Sequence, residues 1–290
     1  MIPGIAGVNL RDWNRAKYKY KKMNDKSLLY LWKERTLYLG RLDEPLHLLQ
    51  GAATLCVSLE GLMSIRLPGS DHLIETRSVL LPPDCSVYID TRGNLIANLN
   101  LDVMGSDYHY LSKRMGQRCT NVHLDLEYET DFRSKLSALH RGGFGSDEAK
   151  ELLYHALRPD NHAEFSCDNR VQRVVQKIQS AIDHNLPIEQ LASSVNLSTP
   201  RLVQLFKKQT GVPIRRYRQW HRLYVTASHI GKGKNLTEAA IAAGFVDLSH
   251  CTHTFHQMLG VRPSYFLQRP NEIRVITEGD YSPETAVSTA

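Results

Sequence analysis

The sequence contains no uninterrupted apolar run near the roughly 20 residues needed to cross a bilayer. Its opening stretch, MIPGIAGVNLRDWNRAKYKYKK, is polar and basic and has no continuous apolar core of the kind a secretion signal carries. Cysteine is scarce: Cys56, Cys85, Cys119, Cys167 and Cys251 are scattered, odd in number and never arranged as CxxC. That argues against a disulfide framework and for reduced thiols in a cytoplasm. His47, His72, His109 and His123 form no His-x-His pair, so a metal-dependent enzyme is not expected from the first half of the chain.

What is present is an ordinary globular composition, 42% hydrophobic and 23% charged over 290 residues, enough for one large domain or two of common size. The net charge of +6 is unevenly placed. Residues 168–269 hold 14 Lys/Arg against 5 Asp/Glu, net +9, leaving −3 for the remainder. A basic third beside a mildly acidic body suggests a polyanionic partner for that third; the plainer reading is a solvated charged surface.

The texture also changes along the chain. LLYLW, TLYLG, TLCVSLEG, LMSIRLPG, SVLLPP, CSVYID and NLIANLNLDV are short apolar runs separated by turn residues, the pattern of an antiparallel β barrel or sandwich. After about residue 127 the spacing becomes helical. TDFRSKLSALHR and SDEAKELLYHAL form a pair parted by GGFG, with Ser146 as the expected N-cap of the second. The polar stretch RPDNHAEFSCDN reads as a linker. The closing TEGDYSPETAVSTA has little to bury.

The basic third contains a repeat. LSTPRLVQLFKKQTGVPIRRY and VDLSHCTHTFHQMLGVRPSYF align at an offset of 49, pairing Phe206 with Phe255, Gly211 with Gly260 and Tyr217 with Phe266. A short helix precedes each, IEQLASSV and LTEAAIAAG, which is the layout of a helix-turn-helix unit. Asn196 and Gly244 stand where each turn needs a left-handed residue, Ser198 and Asp247 where each second helix needs a cap, and Pro200 in a first turn, where its missing N–H costs little.

Projection of the second helices separates two faces. Leu202, Leu205 and Phe206 form the apolar stripe of the first, with Pro200, Gln204 and Lys207 facing away and Arg201, Val203 and Lys208 beside them. In the second, Leu248, Cys251, Phe255 and Met258 form the stripe; Ser249, His250, His253 and Gln257 face away, with Thr252 and His256 at the edges. The outward sets suit base edges and phosphates in a major groove. His250 and His253 could share a metal ion, but no third ligand is evident, and a solvated face is the plainer alternative. Between the units, PIRRYRQWHRLYVTASHI would span ~27 Å as a helix against ~34 Å for one turn of DNA, so it could hold two reading heads near consecutive major grooves.

These residues resemble the DNA-binding domain of the AraC/XylS family of bacterial transcription regulators. The likeness covers roughly residues 168–269. In the second unit Ala239, Ala243, Gly244, Phe245, Asp247, Ser249, Phe255, Gly260, Val261 and Pro263 match; in the first, Ser198, Leu202, Phe206, Lys207, Gly211 and Tyr217, then Arg222, Leu223 and Ala227. The family usually has Arg or Lys at the position of His253 and Gly at that of Asn196. The resemblance implies double-stranded DNA as partner, RNA polymerase as a second, a homodimer, no cofactor and no catalysis. It places DNA contacts at Thr199, Pro200, Arg201, Val203, Gln204, Lys207, Lys208, Arg215, Arg216, Leu248, Ser249, His250, Thr252, His253 and Gln257.

The expected architecture is α+β. A β-rich, cupin-like barrel domain for effector binding and regulation spans residues 1–130. Dimerisation helices and a linker follow at 131–167, with Leu136, Leu139, Leu152, Leu153, Ala156 and Leu157 as a stripe for a partner surface. The DNA-binding domain occupies 168–270 and a disordered tail 271–290. Trp32, Tyr38 and His47 are the candidates for contact with a small-molecule effector, although aromatics in such domains are more often core. An activator responding to a small molecule is the leading reading; a ligand-free regulator whose first domain only dimerises is the alternative. Some DNA-repair methyltransferases carry the same helical module, but neither Cys56 nor Cys85 has an adjacent base to activate a thiolate. An RxxxR pattern at Arg11/Arg15 recurs at Arg114/Arg118 and Arg218/Arg222 and therefore carries little information.

Overall fold

The structure, a computed structural model, describes residues 26–278 apart from 43, 50–51, 68, 102–105, 143, 159–166, 182–185 and 260–272; the side chains of 47–49 and 256–259 are likewise outside the description. The RxxxR pair at Arg11/Arg15 and the matches at Gly260, Val261, Pro263 and Phe266 lie outside the described residues.

The strands of the first domain build two sheets. β1 (Ser27–Leu31), β2 (Thr36–Gly40), β4 (Thr54–Ser58), β7 (Ser78–Leu81), β9 (Ile96–Asn100), β10 (Met115–Cys119), β11 (Val122–Leu126) and β12 (Ile273–Thr277) pair in the order β10-β11-β7-β4-β9-β2-β1-β12. β3 (Leu46–Leu49), β5 (Met63–Arg66), β6 (Leu73–Thr76) and β8 (Ser86–Asp90) pair as β3-β8-β5-β6. The expected barrel is therefore two hydrogen-bonded ladders, with no strand pair joining them among the described residues.

Strand alternation divides the large sheet into two faces. One face packs on the small sheet through Cys56, Val79, Ile96, Val122 and Leu124 against Met63, Ile65, Val87 and Ile89. The other, with Leu37, Leu39, Leu55, Ala97 and Leu99, is covered by α1 (Ser106–Ser112), α2 (Glu129–Gly142) and α3 (Ser146–Leu157).

That covering corrects the expected dimerisation stripe. Phe132, Leu136, Leu139, Leu153, Ala156 and Leu157 are buried in the chain's own core, with Leu152 packed against it, and so need no second copy to leave water. Each such leucine or phenylalanine stabilises the fold by up to about 1.5–3 kcal/mol. The N-cap of α3 is also one residue earlier than expected. Gly145 takes it, and Ser146 is the first helical residue, buried and accepting from the Trp32 indole on both its carbonyl and its hydroxyl at 3.2 Å.

A buried ion triad ties the β1–β2 loop, α1 and the end of α3 together. Asp107 receives Arg35 at 2.6 and 2.9 Å and Arg158 at 2.9 Å. Burial pushes the Asp107 carboxyl upward, and the two guanidinium groups outweigh it, holding its pKa below the ordinary carboxylate value.

The expected tail is corrected too. Residues 273–277 form β12, which runs parallel to β1 from Ser27↔Ile273 to Leu31↔Thr277. Ile273 and Ile276 are buried, and Lys150 on α3 reaches Glu278 at 3.0 Å. A five-residue strand gains its stability here from an open sheet edge supplied by the far end of the chain.

The second domain is all helix: α4 (Asn169–Ser180), α5 (Ile188–Ser193), α6 (Thr199–Thr210), α7 (Ile214–Gly231), α8 (Leu236–Ala242) and α9 (Leu248–Leu259). The first unit closes over Val171, Val174, Leu191, Leu202 and Phe206, the second over Leu223, Ala240, Phe245, Cys251 and Phe255. α7 joins them as one helix of 18 residues.

Candidate nucleic-acid interface and interdomain cavity

Both turns have the backbone the sequence demands: Asn196 sits at φ 54° and Gly244 at φ 80°, in the left-handed region. Pro200 falls in the first turn of α6, whose C-cap Gly211 is at φ 78°. Asp247 caps α9 by accepting from the His250 N–H at 2.6 Å. Ser198 holds the N-cap position of α6 without a side-chain hydrogen bond.

On α6 the structure brings Pro200, Arg201, Val203, Gln204, Lys207 and Lys208 together on the exposed face, with Thr199 half-buried, opposite the buried Leu202, Leu205 and Phe206. On α9, Ser249 and His253 are exposed, Leu248 and Thr252 half-buried, and Cys251, Thr254 and Phe255 buried. His250 differs from expectation: its ring is half-buried and stands edge-on to Phe245 at 5.3 Å, so it braces the turn. The side chain of Gln257 lies outside the described residues, as does that of His47.

The two domains touch. α9 packs on β3, and α7 packs on β1 and β12. Arg215 is exposed, but Arg216 lies 3.2 Å from Asp84 in the β7–β8 loop. A Cβ at Gly211 would stand 2.9 Å from Pro83 of the same loop, so that turn must be bare as well as left-handed.

Between the domains is a cavity of about 720 Å³, counted out to its open mouth. Leu29, Leu31, Tyr38, Leu42 and Leu46 line it from the first domain, and Trp220, Leu223, Tyr224, Ala227 and Phe255 from the second. A smaller pocket of about 350 Å³ adjoins it, sharing Thr36, Asn100, Trp220 and Tyr224 and adding Lys33, Arg35 and His221. Of the three effector candidates, Tyr38 lines the cavity. Trp32 edges only the smaller pocket; its ring is buried, stacked on Tyr30 at 5.3 Å.

The sequence reading missed Asn98, Asn100 and His221. Register pairs Tyr38 with Asn98 and Thr36 with Asn100 across β2 and β9, so all four project from one face. Thr54 donates to Asn100 at 3.1 Å, and Asn100 donates to Thr36 at 2.7 Å. Asparagine at alternate positions in the apolar IANLNL was the available signal. His221 is 7% exposed and lies between Tyr217 and Tyr224, with ring separations of 6.2 and 6.0 Å. Burial lowers its pKa to about 4, so the ring is neutral at pH 7.

Among the described residues no group of three or more His, Cys, Asp or Glu side chains is placed to hold a metal ion. Burial pushes the Cys56 thiol up to about 12 and raises Cys85 and Cys251, the opposite of an activated thiolate. No described helix is long and apolar enough to cross a membrane.

A family model described as a helix-turn-helix domain matches residues 191–269. That C-terminal region is an AraC-type helix-turn-helix domain, a DNA-binding module. Among solved structures, an unliganded variant of ToxT from Vibrio cholerae is 14% identical and superposes at TM-score 0.58, with 81% of this chain and 97% of that one covered. ToxT from Vibrio cholerae with a bound unsaturated fatty acid is 12% identical at TM-score 0.51, over 83% and 92%. The likeness is one of fold: a β-rich domain of two sheets followed by the helical domain. A transcriptional regulator with an AraC-type DNA-binding domain from Chromobacterium violaceum is 21% identical over 34% of this chain and 90% of its own, at TM-score 0.33. No curated protein sequence matches this chain.

Proposed function

We propose that the protein is a sequence-specific transcription activator of the cytoplasm whose DNA affinity is set by a small apolar molecule held between its two domains. The observation that carries the reading is the cavity wall. It is built jointly from β1, β2, β3 and β9 on one side and α7 and α9 on the other, the same helices that join and form the reading heads. An occupant touching both sides interacts differently with docked and undocked domains, which is the requirement for shifting that equilibrium. The fatty acid bound by ToxT supports an apolar occupant.

α6 and α9 read bases with Gln204 and His253 at the centre of their exposed faces, and Arg201, Lys207, Lys208 and Arg215 neutralise phosphates. RNA polymerase as partner and a homodimeric state complete the reading; a dimer would use a surface other than the α2–α3 stripe. The test is a gel shift at stated salt with genomic upstream fragments, using the whole chain with and without lipid extract. Binding to no duplex better than to random competitor sinks the reading. Specific binding indifferent to any added apolar molecule leaves the regulator and removes the effector.

A further inference from the structure

The polar atoms at the cavity wall narrow what the occupant can be. This inference rests on the effector reading above and adds the ligand's chemistry. Two buried polar atoms at this wall, Asn98 Oδ1 and His221 Nε2, have no hydrogen-bond partner among the described residues. Asn98 lines the larger cavity and His221 the adjoining pocket. Burial keeps the His221 ring neutral, so one of its two nitrogens carries the proton and the other a lone pair. Nε2 is the nitrogen left without a partner, and we assign it the lone pair.

An unsatisfied buried acceptor is costly, and a ligand that donates to it recovers that cost on binding. A ligand that brings a carboxylate does the reverse, setting a negative charge against acceptor atoms in an apolar enclosure. Lys33 and Arg35, which edge the smaller pocket, are the features that would favour an acid. Arg35 is engaged with Asp107, and Lys33 is exposed and keeps its water, whereas Asn98 Oδ1 and His221 Nε2 are sealed from solvent.

We propose that the cavity takes a neutral, largely apolar molecule carrying a hydroxyl donor, an alcohol or a phenol, with the hydroxyl directed at Asn98 Oδ1 or His221 Nε2. Thr36, Tyr38 and Asn100 surround that end with groups already engaged in the strand network, and Leu29, Leu31, Leu42, Leu223 and Phe255 hold the apolar body.

The test compares decan-1-ol, 1-methoxynonane and decanoate by isothermal titration calorimetry on the full chain. The alcohol should bind about tenfold more tightly than the ether, which fills the same space and cannot donate. It should also bind more tightly than the acid. In Asn98→Leu or His221→Phe the alcohol should lose its advantage over the ether while ether binding persists; the ether also reports whether each variant keeps a folded cavity. Decanoate binding as tightly as decanol, or an alcohol advantage unchanged in both variants, overturns the donor assignment and leaves an apolar site standing. No binding by any of the three probes overturns the effector site itself.

Discussion

The Arg216 guanidinium stands 3.2 Å from the Asp84 carboxylate, across the boundary between the DNA-reading domain and the β-rich domain. If Arg216 serves a DNA phosphate, it must exchange that carboxylate for it. Asp84→Ala should therefore tighten binding of the full chain to its duplex site, by up to about fivefold, since a partly exposed pair is worth about 1 kcal/mol at most. Arg216→Ala should weaken all sequences alike. Gel shifts at fixed salt measure both, and an Asp84→Ala affinity equal to wild type would mean that the pair does not compete with DNA.

The exposed faces of α6 and α9 give a prediction about base choice. Gln204→Ala and His253→Ala should each relax preference at one contacted base pair, costing about 1–3 kcal/mol there. Arg215→Ala should lower affinity without changing preference. Selection from randomised duplexes separates the two patterns, and unchanged preference in both helix variants would place the reading faces elsewhere.

His221 predicts a pH dependence of stability. Its folded pKa of about 4 lies below the ordinary value of 6.5, so between these limits the unfolded chain binds more protons. Its contribution is complete above about pH 6.5 and is lost as pH falls towards about 4, with a total on the order of 3 kcal/mol. Urea unfolding at pH 7 and pH 5 should show a smaller acid loss in His221→Phe than in wild type. Equal losses would mean that the ring is not buried as a neutral group.

Removing residues 273–290 should strip β12 from the edge of β1. With Ile273 and Ile276 both buried, the loss should be roughly 2–5 kcal/mol of unfolding free energy. Thermal unfolding of the shortened chain checks this. A melting temperature within a degree of the full chain would show that the strand adds nothing.

The helix-turn-helix domain was legible because its determinants are local. A left-handed residue at each turn, a cap or proline at each helix start, and an apolar stripe repeating at helical spacing act within one turn of chain, so Asn196, Gly244, Asp247 and Phe206 could be placed from spacing alone. The β texture of the first half was legible for the same reason, through alternation and turn residues.

Tertiary structure decided what depends on residues far apart in sequence. The α2–α3 stripe reads the same whether it faces a second copy or its own sheet, and only packing on Leu37, Leu55 and Leu99 settled it. Ile273–Thr277 is too short to declare itself a strand, and it becomes one because β1 presents an open edge. The cavity joins residues near 36, 98 and 221 in one wall. A side chain's periodicity tells which face it occupies; what that face meets is fixed by the docking of two domains, which no local pattern encodes.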